Sequence, residues 1–318
     1  SDIFSTDSLP QAIVFDQRPI EIEDPCEMTL QGHTNGVRMC RYSPQGDLIV
    51  SAAEDASLRV WDAFSGAEIM QVANLPGPNR PTLADPYHGE RPICFSGDGR
   101  LVATGSEDGW LQVWDLTGAQ AHSAKSHSTG ITGLSYSPDN STIASCSKDK
   151  TVKFWCASSY KLKYHVTLSG EALSLSYSPD GHKLAVSMHN VGDDSKVTLW
   201  NAINGKAFDR LTGHKGWIWG ITFNKNAKVL ISCSSDRTLK VWNMDSKTLI
   251  ASLGGHTHRA PISRTTLSPD GSLLACGSLS GEISIWNSSS LVQLHTLKRH
   301  YSHIKALLFS PDGQHLVS

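Results

Sequence analysis

The feature that most constrains this chain is a tryptophan that closes a short, strand-like segment and recurs along the sequence. Successive copies are 53, 41, 45, 42 and 44 residues apart. A nearly fixed period in this range is typical of repeat architectures, in which each unit completes its core only against its neighbours. The six copies are Trp61, Trp114, Trp155, Trp200, Trp242 and Trp286.

Two polar positions keep a fixed distance from these tryptophans. Six residues before them stand Asp55, Asp108, Asp149, Asp194 and Asp236, with Ser280 as the exception before the last. Ten residues before them stand Ser51, Thr104, Ser145, Asn190, Ser232 and Cys276. In the fourth unit Ser187 fits better than Asn190 if the loop of that unit carries three extra residues. The repeat is therefore defined by polar positions as well as by apolar ones.

Each unit contains strand-like segments and no sustained helical period. In the first unit, VRMCRYS (37–43) leads through a tight turn to LIVSA (48–52), and an aspartate-containing turn leads to LRVWD (58–62). β-Branched and aromatic residues fill these segments, and turns of the SPDG type favour short hairpins. The sequence predicts an all-β fold with four antiparallel strands per unit.

A Gly-His or a lone histidine precedes most units, and the first two units close with Trp-Asp. This repeat resembles the WD40 family of β-propellers, and the resemblance covers nearly the whole chain. The resemblance implies a buried, structural hydrogen-bond network in each complete blade. Blades two, four and six are expected to be softer, because they lack the histidine or the aspartate. The complete networks are expected in blades one (His33, Ser51, Asp55, Trp61), three (His127, Ser145, Asp149, Trp155) and five (His214, Ser232, Asp236, Trp242).

The two ends of the chain read as two parts of one unit. Residues 300–318 supply two strands, and SLPQAIVFD near the amino terminus places Phe15 at the tryptophan position and Asp16 after it. We therefore predict a single seven-bladed domain over 1–318, with its last blade built from 1–31 and 300–318. Such pairing removes an open sheet edge. The alternative is that the missing strands follow residue 318.

Charge and motifs argue against catalysis and metal chemistry. Lys and Arg number 28 and Asp and Glu 30, so the net charge of −2 gives no overall basic surface for nucleic acid. No GxSxG, HExxH, P-loop or GxGxxG sequence occurs. His256 with His258, and His300 with His303, lack a second ligand pair at zinc spacing. We expect no enzyme activity, no cofactor and no metal.

Seven cysteines, an odd number without any CxxC pair, lie mostly in strand-like runs. They predict buried free thiols in a reducing compartment. No apolar run approaches the roughly 18 residues of a membrane span, and no signal peptide opens the chain. We expect an intracellular protein, cytoplasmic or nuclear, that has no membrane partner.

The resemblance also implies which residues point to the top face of the propeller. Lys305, Arg38 and Arg91 belong to neighbouring blades and predict a basic arc for an acidic or phosphorylated peptide. In the alternative, Glu54 and Glu107 pair with these cations and neutralise them. The implicated positions are Arg38, Arg91, Thr132, Leu173, Trp219, Ser263 and Lys305 on the innermost strands, and Glu54, Glu107, Lys148 and Ser235 before the turn aspartates.

Three of the nine tryptophans are not used by the repeat. Trp217 and Trp219 lie two residues apart, so they share one side of a strand near the top face, where exposed tryptophans are typical binding anchors. The alternative is that they pack as core. Trp110 is expected at the same rim. A proline-rich insert, residues 74–92, is interpreted as a docking element, a lid or a decoration.

These features predict a non-catalytic scaffold or ligand-sensing domain that binds a protein or peptide on its top face. One alternative is a substrate receptor of a ubiquitin ligase, which is disfavoured because the WDxR pattern of one receptor class is absent. Another is the regulatory WD40 region of an apoptosome-type ATPase. A histone-tail or nucleic-acid reader is the least favoured, because it needs a strong single-sign surface.

Overall fold

The structure, a computed structural model, describes residues 27–73, 92–189, 195–254 and 260–318. Within these ranges the chain forms only β-strands, arranged as six four-stranded antiparallel sheets and one two-stranded sheet. The strands of every four-stranded sheet follow one another in chain order, so each sheet is a meander. We number these sheets as blades one to six in the order of the chain.

The strands of blades one to three follow the same order. They are β1 Val37–Tyr42, β2 Leu48–Ala53, β3 Leu58–Asp62 and β4 Glu68–Val72; β5 Ile93–Phe95, β6 Leu101–Gly105, β7 Trp110–Asp115 and β8 Gln120–Lys125; and β9 Ile131–Tyr136, β10 Thr142–Ser147, β11 Thr151–Cys156 and β12 Leu162–Thr167.

Blades four to six repeat the pattern, and a two-stranded sheet follows them. The strands are β13 Glu171–Tyr177, β14 Lys183–His189, β15 Ser195–Asn201 and β16 Ala207–His214; β17 Ile218–Phe223, β18 Val229–Ser234, β19 Thr238–Asn243 and β20 Leu249–Gly254; β21 Ile262–Leu267, β22 Leu273–Ser278, β23 Glu282–Asn287 and β24 Gln293–Lys298; and β25 Leu308–Phe309 with β26 Leu316–Val317.

Burial differs across each blade in a way that explains its sequence. Every residue of β10 is buried, whereas β12, the outermost strand of the same blade, is exposed or half-buried throughout. A strand covered on both faces reads as a continuous run of apolar and small residues rather than as an alternation. The inner strands of each blade are therefore covered on both faces.

The core lies between neighbouring blades. One apolar cluster joins Val50, Leu58 and Trp61 of blade one to Val102 and Trp114 of blade two. The same arrangement continues around the molecule, because each later cluster also draws residues from two successive blades. Because the faces of successive blades pack on one another in this way, the blades form a ring, the propeller that the resemblance implied.

The two-stranded sheet occupies the place between blades six and one. Ala306 is buried in the core of blade one, and Leu308 and Val317 pack against it. Nε2 of His315 lies 3.2 Å from Oε2 of Glu27. The described residues thus join the end of the chain to the first blade.

The all-β propeller and its four-stranded antiparallel blades are confirmed, whereas the predicted count of seven complete blades is not. Six blades have four strands, and residues 300–318 contribute two short strands. Phe15 and Asp16, which were predicted to complete the last blade, lie outside the described residues. Residues 27–31, predicted as part of an outer strand, form no strand.

The SPDG-type turns have a common hydrogen-bond pattern that fixes the first hairpin of a blade. In blade three, the Ser137 hydroxyl donates to Asp139 at 2.5 Å and accepts from the backbone N–H of Thr142 at 3.0 Å. The same serine–aspartate bond recurs at 2.5 Å in Ser178–Asp180 and Ser310–Asp312. A side chain that forms hydrogen bonds within its own turn satisfies backbone groups that have no strand partner there.

Candidate partner-binding face

One edge of the ring collects two connections from each blade: the loop that enters the innermost strand and the turn between the second and third strands. In blade one these two segments bond to each other, because the backbone N–H of Glu54 donates to the carbonyl of Gly36 at 3.0 Å. We call this edge the top face. Of the top-face residues predicted from sequence, the structure describes Arg38, Glu54, Glu107, Thr132, Lys148, Leu173, Trp217, Trp219, Ser235, Ser263 and Lys305. The predicted Arg91 lies outside the described residues, as does the insert 74–92 except for Pro92.

A chain of side-chain hydrogen bonds holds the top edge of blade one to its interior. Nδ1 of His33 lies 3.0 Å from Oδ2 of Asp55, and Nε2 of His33 lies 2.7 Å from the Ser51 hydroxyl. The same hydroxyl accepts the indole N–H of Trp61 at 2.9 Å. The chain therefore links the entering loop, the turn and two strands.

Blades three and five contain the same arrangement. In blade three, His127 lies 2.9 Å from Asp149 and 2.7 Å from Ser145, whose hydroxyl accepts the indole N–H of Trp155 at 2.9 Å. In blade five, the corresponding distances are 2.8, 2.8 and 2.9 Å for His214, Asp236, Ser232 and Trp242. The structure thus brings together all twelve residues of the three predicted networks.

Sequence reasoning missed a fifth member of each network. The hydroxyl two residues after the turn aspartate donates to that carboxylate, at 2.7 Å from Ser57 to Asp55 and at 2.6 Å from Thr151 to Asp149. Thr238 does the same to Asp236 at 2.6 Å. The signal was present as Asp-x-Ser/Thr in EDAS, KDKT and SDRT.

In three blades the indole N–H of the repeat tryptophan makes a long hydrogen bond or none among the described residues. In blade two, the Trp114 indole N–H reaches the Thr104 hydroxyl only at 3.4 Å. In blades four and six, the indole nitrogens of Trp200 and Trp286 are buried without a hydrogen-bond partner among the described residues. A buried N–H left unbonded is energetically costly. These are the three blades whose sequence departs from the repeat.

The prediction that Ser187 takes the hydroxyl position of blade four is wrong by one residue. Strand pairing places Val186 opposite Thr198, as Ser145 stands opposite Lys153 in blade three. Because successive residues of a strand point to opposite faces, a shift of one residue turns Ser187 away from Trp200. A valine at the hydroxyl position explains why the Trp200 indole has no acceptor.

In the network of blade three the pKa shift keeps His127 neutral, and in all three networks the pKa shift keeps the turn aspartate charged. Burial lowers the pKa of His127 to about 4, against the opposing effect of the Asp149 carboxylate. Burial alone would raise the pKa of Asp55, but hydrogen bonds from Ser57, Thr34 and His33 hold it at about 2. Such bonds hold the pKa of Asp236 well below its usual range, despite burial.

A partial network of the same kind lies at the end of the chain. Nε2 of His300 lies 2.7 Å from the hydroxyl of Ser318, the residue that corresponds to Ser51 in the repeat. Burial lowers the pKa of His300. The histidine and the serine of a further blade are therefore already paired.

The predicted basic arc contains an ion pair. Nη2 of Arg38 lies 2.6 Å from Oε1 of Glu54, and both side chains are mostly buried. The positive charge of Arg38 is therefore balanced, which is the alternative that the sequence left open. Lys305, Glu107 and Lys148 are half-buried.

The two additional tryptophans of blade five contact each other at the top face. The ring centroids of Trp217 and Trp219 are 5.3 Å apart, with the planes tilted by 49°. Trp219 is buried, at 9% exposure, within the core between blades five and six, so its ring is mainly core. Trp217 is half-buried and also contacts His189 of blade four, with ring centroids 4.7 Å apart. Sequence reasoning did not find His189, because it lies in another blade.

Two other positions implied by the resemblance serve contacts between blades. The Thr132 hydroxyl donates to the Ala172 carbonyl of the next blade at 2.8 Å. The Ser263 hydroxyl donates in the same way to the Ile304 carbonyl at 2.7 Å. Both side chains are buried. These hydroxyls tie the innermost strands together and are not available to a partner.

The described cysteines do not all match the prediction of buried free thiols. They are free, and Cys40, Cys146, Cys233 and Cys276 are buried, but Cys94 and Cys156 are only partly covered. Hydrogen bonds, chiefly from Ser158 and Ser159, lower the pKa of the Cys156 thiol to about 6.

No group of three or more His, Cys, Asp or Glu side chains in the described ranges is placed to hold a metal ion. None of the described segments forms a helix long and apolar enough to cross a membrane.

Comparison with known families accounts for most of the chain. The model of the WD40 family, described as WD domain, G-beta repeat, matches it in seven separate stretches. These cover residues 24–62, 93–115, 118–156, 158–201, 205–243, 247–287 and 291–318.

Two curated proteins are similar over most of this chain. The WD40 repeat-containing protein HOS15 of Arabidopsis thaliana is 28% identical over 305 residues, which cover 91% of this chain and 48% of HOS15. Apoptotic protease-activating factor 1 of Rattus norvegicus is 26% identical over 324 residues, which cover 91% of this chain and 25% of that protein. This chain spans less than half the length of either relative.

We expect the hydrogen bond of a complete network to be measurable by comparing two tryptophans. Trp155→Phe removes an indole N–H that donates to Ser145, whereas Trp200→Phe removes one that has no acceptor. Trp155→Phe should therefore lower the free energy of unfolding by about 1–2 kcal/mol more than Trp200→Phe. Urea denaturation measures both values. Equal losses would contradict a stabilising role for the network.

Stability should fall as the pH is lowered through the range set by His127. In the folded protein its pKa is about 4, so the unfolded chain binds a proton there first as the pH falls from about 6.5. The stabilisation is fully present above a pH of about 6.5 and is lost toward pH 4, at a cost of about 3 kcal/mol. Denaturation midpoints measured from pH 7 to pH 4 test this.

The control for this pH dependence is His127→Gln, which cannot titrate in that range. Its stability should depend less steeply on pH than that of the unchanged protein. An identical slope would show that His127 is not the source. Some slope should remain in the variant, because burial also lowers the pKa values of His122, His295, His300 and His303.

Proposed function

Because the chain belongs to the WD40 repeat family, we propose that it is a non-catalytic platform that binds a protein or peptide on its top face. Proteins of this family generally serve as interaction scaffolds. The observation that carries the proposal is the half-buried Trp217, held at the top face by contacts with His189 and Trp219. A large aromatic side chain fixed in place and partly open to solvent is typical of a binding anchor.

The networks support this proposal by making the top face rigid. Each complete network ties the entering loop and the turn of one blade to its inner strands. A preorganised surface loses less conformational entropy on binding than a mobile one. We infer that His33, His127 and His214 and their partners have a structural role and do not contact the ligand.

The Arg38–Glu54 ion pair weakens the prediction of an acidic ligand. The acidic or phosphorylated peptide predicted from Lys305, Arg38 and Arg91 loses part of its basis, because Glu54 neutralises Arg38. The histone-tail and ubiquitin-ligase roles remain alternatives without a specific observation in their favour.

A second candidate role is the regulatory region of a larger machine. The similarity to a quarter of the length of apoptotic protease-activating factor 1 favours it. In this role the top face would hold another domain of the same assembly. Both roles use the same surface, so the binding experiment below applies to either.

We also propose that the domain has seven blades and that residues near the amino terminus complete the last one. The family model matches seven stretches, of which the last is 291–318. Pairing of His300 with Ser318 supports this, because two members of a network are present and a third-strand aromatic residue is needed. Phe15 is the residue that the repeat pattern places there.

Phe15→Ser tests this closure, with Phe4→Ser as the matched control because the repeat assigns Phe4 no position. Phe15→Ser should lower the free energy of unfolding by about 2–4 kcal/mol, since it removes an aromatic side chain from a core. Phe4→Ser should change it by less than about 0.5 kcal/mol. Equal effects in denaturation experiments would show that another segment completes the blade.

Substituting residues of the top face and measuring which bound proteins are lost tests the binding role. The double variant Arg38→Ala, Trp217→Ala changes the top face, and Phe64→Ala, Ile203→Ala changes two exposed apolar residues in turns at the opposite edge. Proteins captured by the intact domain and identified by mass spectrometry should be lost only with the top-face variant. Both variants must first show equal melting temperatures. Loss with the control variant alone would place the binding surface elsewhere.

A further inference from the structure

An aromatic cluster lies where blades four and five meet at the top face. Trp217 stands between two other rings: it contacts His189 of blade four at 4.7 Å and Trp219 of its own blade at 5.3 Å between centroids. In both contacts the planes are tilted by 49°. The His189 and Trp217 side chains are half-buried, so the cluster is accessible from the top face.

A carboxylate adjoins this cluster. Glu171, the first residue of β13, is paired with His189 of β14 in the register of blade four. Residues directly opposite each other in an antiparallel sheet point to the same face, with Cβ atoms about 5 Å apart. Glu171 therefore shares the side of blade four on which His189 meets Trp217.

The charge of this carboxylate is not balanced within the described part of the chain. Glu171 is half-buried and takes part in none of the ion pairs between described residues. By contrast, the Glu54 carboxylate lies against Arg38. The blade four–five junction is thus a place where a partner could bring a positive charge.

We propose that Glu171, His189, Trp217 and Trp219 form a binding site for a cationic side chain of the partner, a guanidinium or an alkylammonium group. The faces of indole rings attract cations through their quadrupole, and the attraction increases as the cation loses water. A nearby carboxylate adds a charge-assisted hydrogen bond. The proposal deepens the proposed function, on which it rests, and it reverses the sign of the ligand that the sequence predicted.

Titration with short Gly/Ser peptides that carry one central arginine, lysine, citrulline or glutamate tests the site. The signals are the indole N–H resonances of the nine tryptophans, with that of Trp217 assigned by its loss in Trp217→Leu. The arginine or the lysine peptide should shift the Trp217 resonance. Citrulline, which keeps the shape of arginine without its charge, should bind at least about tenfold more weakly.

Two substitutions at the site and two matched controls complete the test. Glu171→Gln and Trp217→Leu should each weaken binding of the cationic peptide about fivefold or more. Asp245→Asn removes one exposed carboxylate at the opposite edge, and Trp110→Leu removes a tryptophan of blade two. These controls should leave the affinity unchanged. Trp219 is not substituted, because it is buried in the core.

Three results would overturn the proposal: equal binding of citrulline and arginine, tighter binding of the glutamate peptide, or no binding of any peptide. If a cationic peptide binds but Glu171→Gln and Trp217→Leu bind as well as the intact protein, the site lies elsewhere and the proposal also fails. These failures differ from a failure of the proposed function. In that case, the top-face double variant would keep its captured partners.

Discussion

The architecture depends on one constraint: the inner strands of each blade are apolar on both faces. Val50, Leu58 and Val102 are almost fully buried because the next blade covers them, so no blade can complete its core alone. Such sheets stack face to face, and a closed ring covers the inner strands of every blade. The packing of Ala306 against blade one shows this closure within the described residues. The sheet at 300–318 has two strands, and the need to cover its faces and edge underlies the closure proposed above.

The same burial covers polar groups at the ends of the strands, and these groups need hydrogen-bond partners. The histidine–aspartate–hydroxyl–tryptophan chains do this in blades one, three and five, and each fixes a loop and a turn of the top face. In blades four and six, Trp200 and Trp286 lack an acceptor. Blade four carries one side of the aromatic cluster, through Glu171 and His189, while blade five, with a complete network, carries Trp217. The proposed cation site therefore joins a rigid blade to a less strongly bonded one.

Features that depend on residues close together in the sequence were predicted, whereas contacts between distant residues were not. The network residues stand at fixed local spacings, so His127, Ser145, Asp149 and Trp155 were assigned from the repeat together with its resemblance to the WD40 family. Ser187 was misplaced because the longer loop of blade four hides the register, which strand pairing fixes at Val186. Whether the charge of Arg38 is balanced was left open, because a sequence cannot show that Oε1 of Glu54 lies 2.6 Å from Nη2 of Arg38. Trp217 and Trp219 were both predicted at the top face, and only packing shows that the Trp219 ring lies in the core while Trp217 is half-buried.

The sequence by itself determined the repeat, the all-β class, the propeller and the identity of the residues that hold each complete blade together. The repeat and the all-β class follow from a period and from side-chain chemistry within about 40 residues, and the propeller and the network residues follow from the family resemblance that these motifs carry. Only the tertiary structure decided which top-face charges are balanced and which side chains meet across blades. His189 and Trp217 are 28 residues apart in the chain, and they touch because the faces of two blades are pressed together by the burial of their apolar strands.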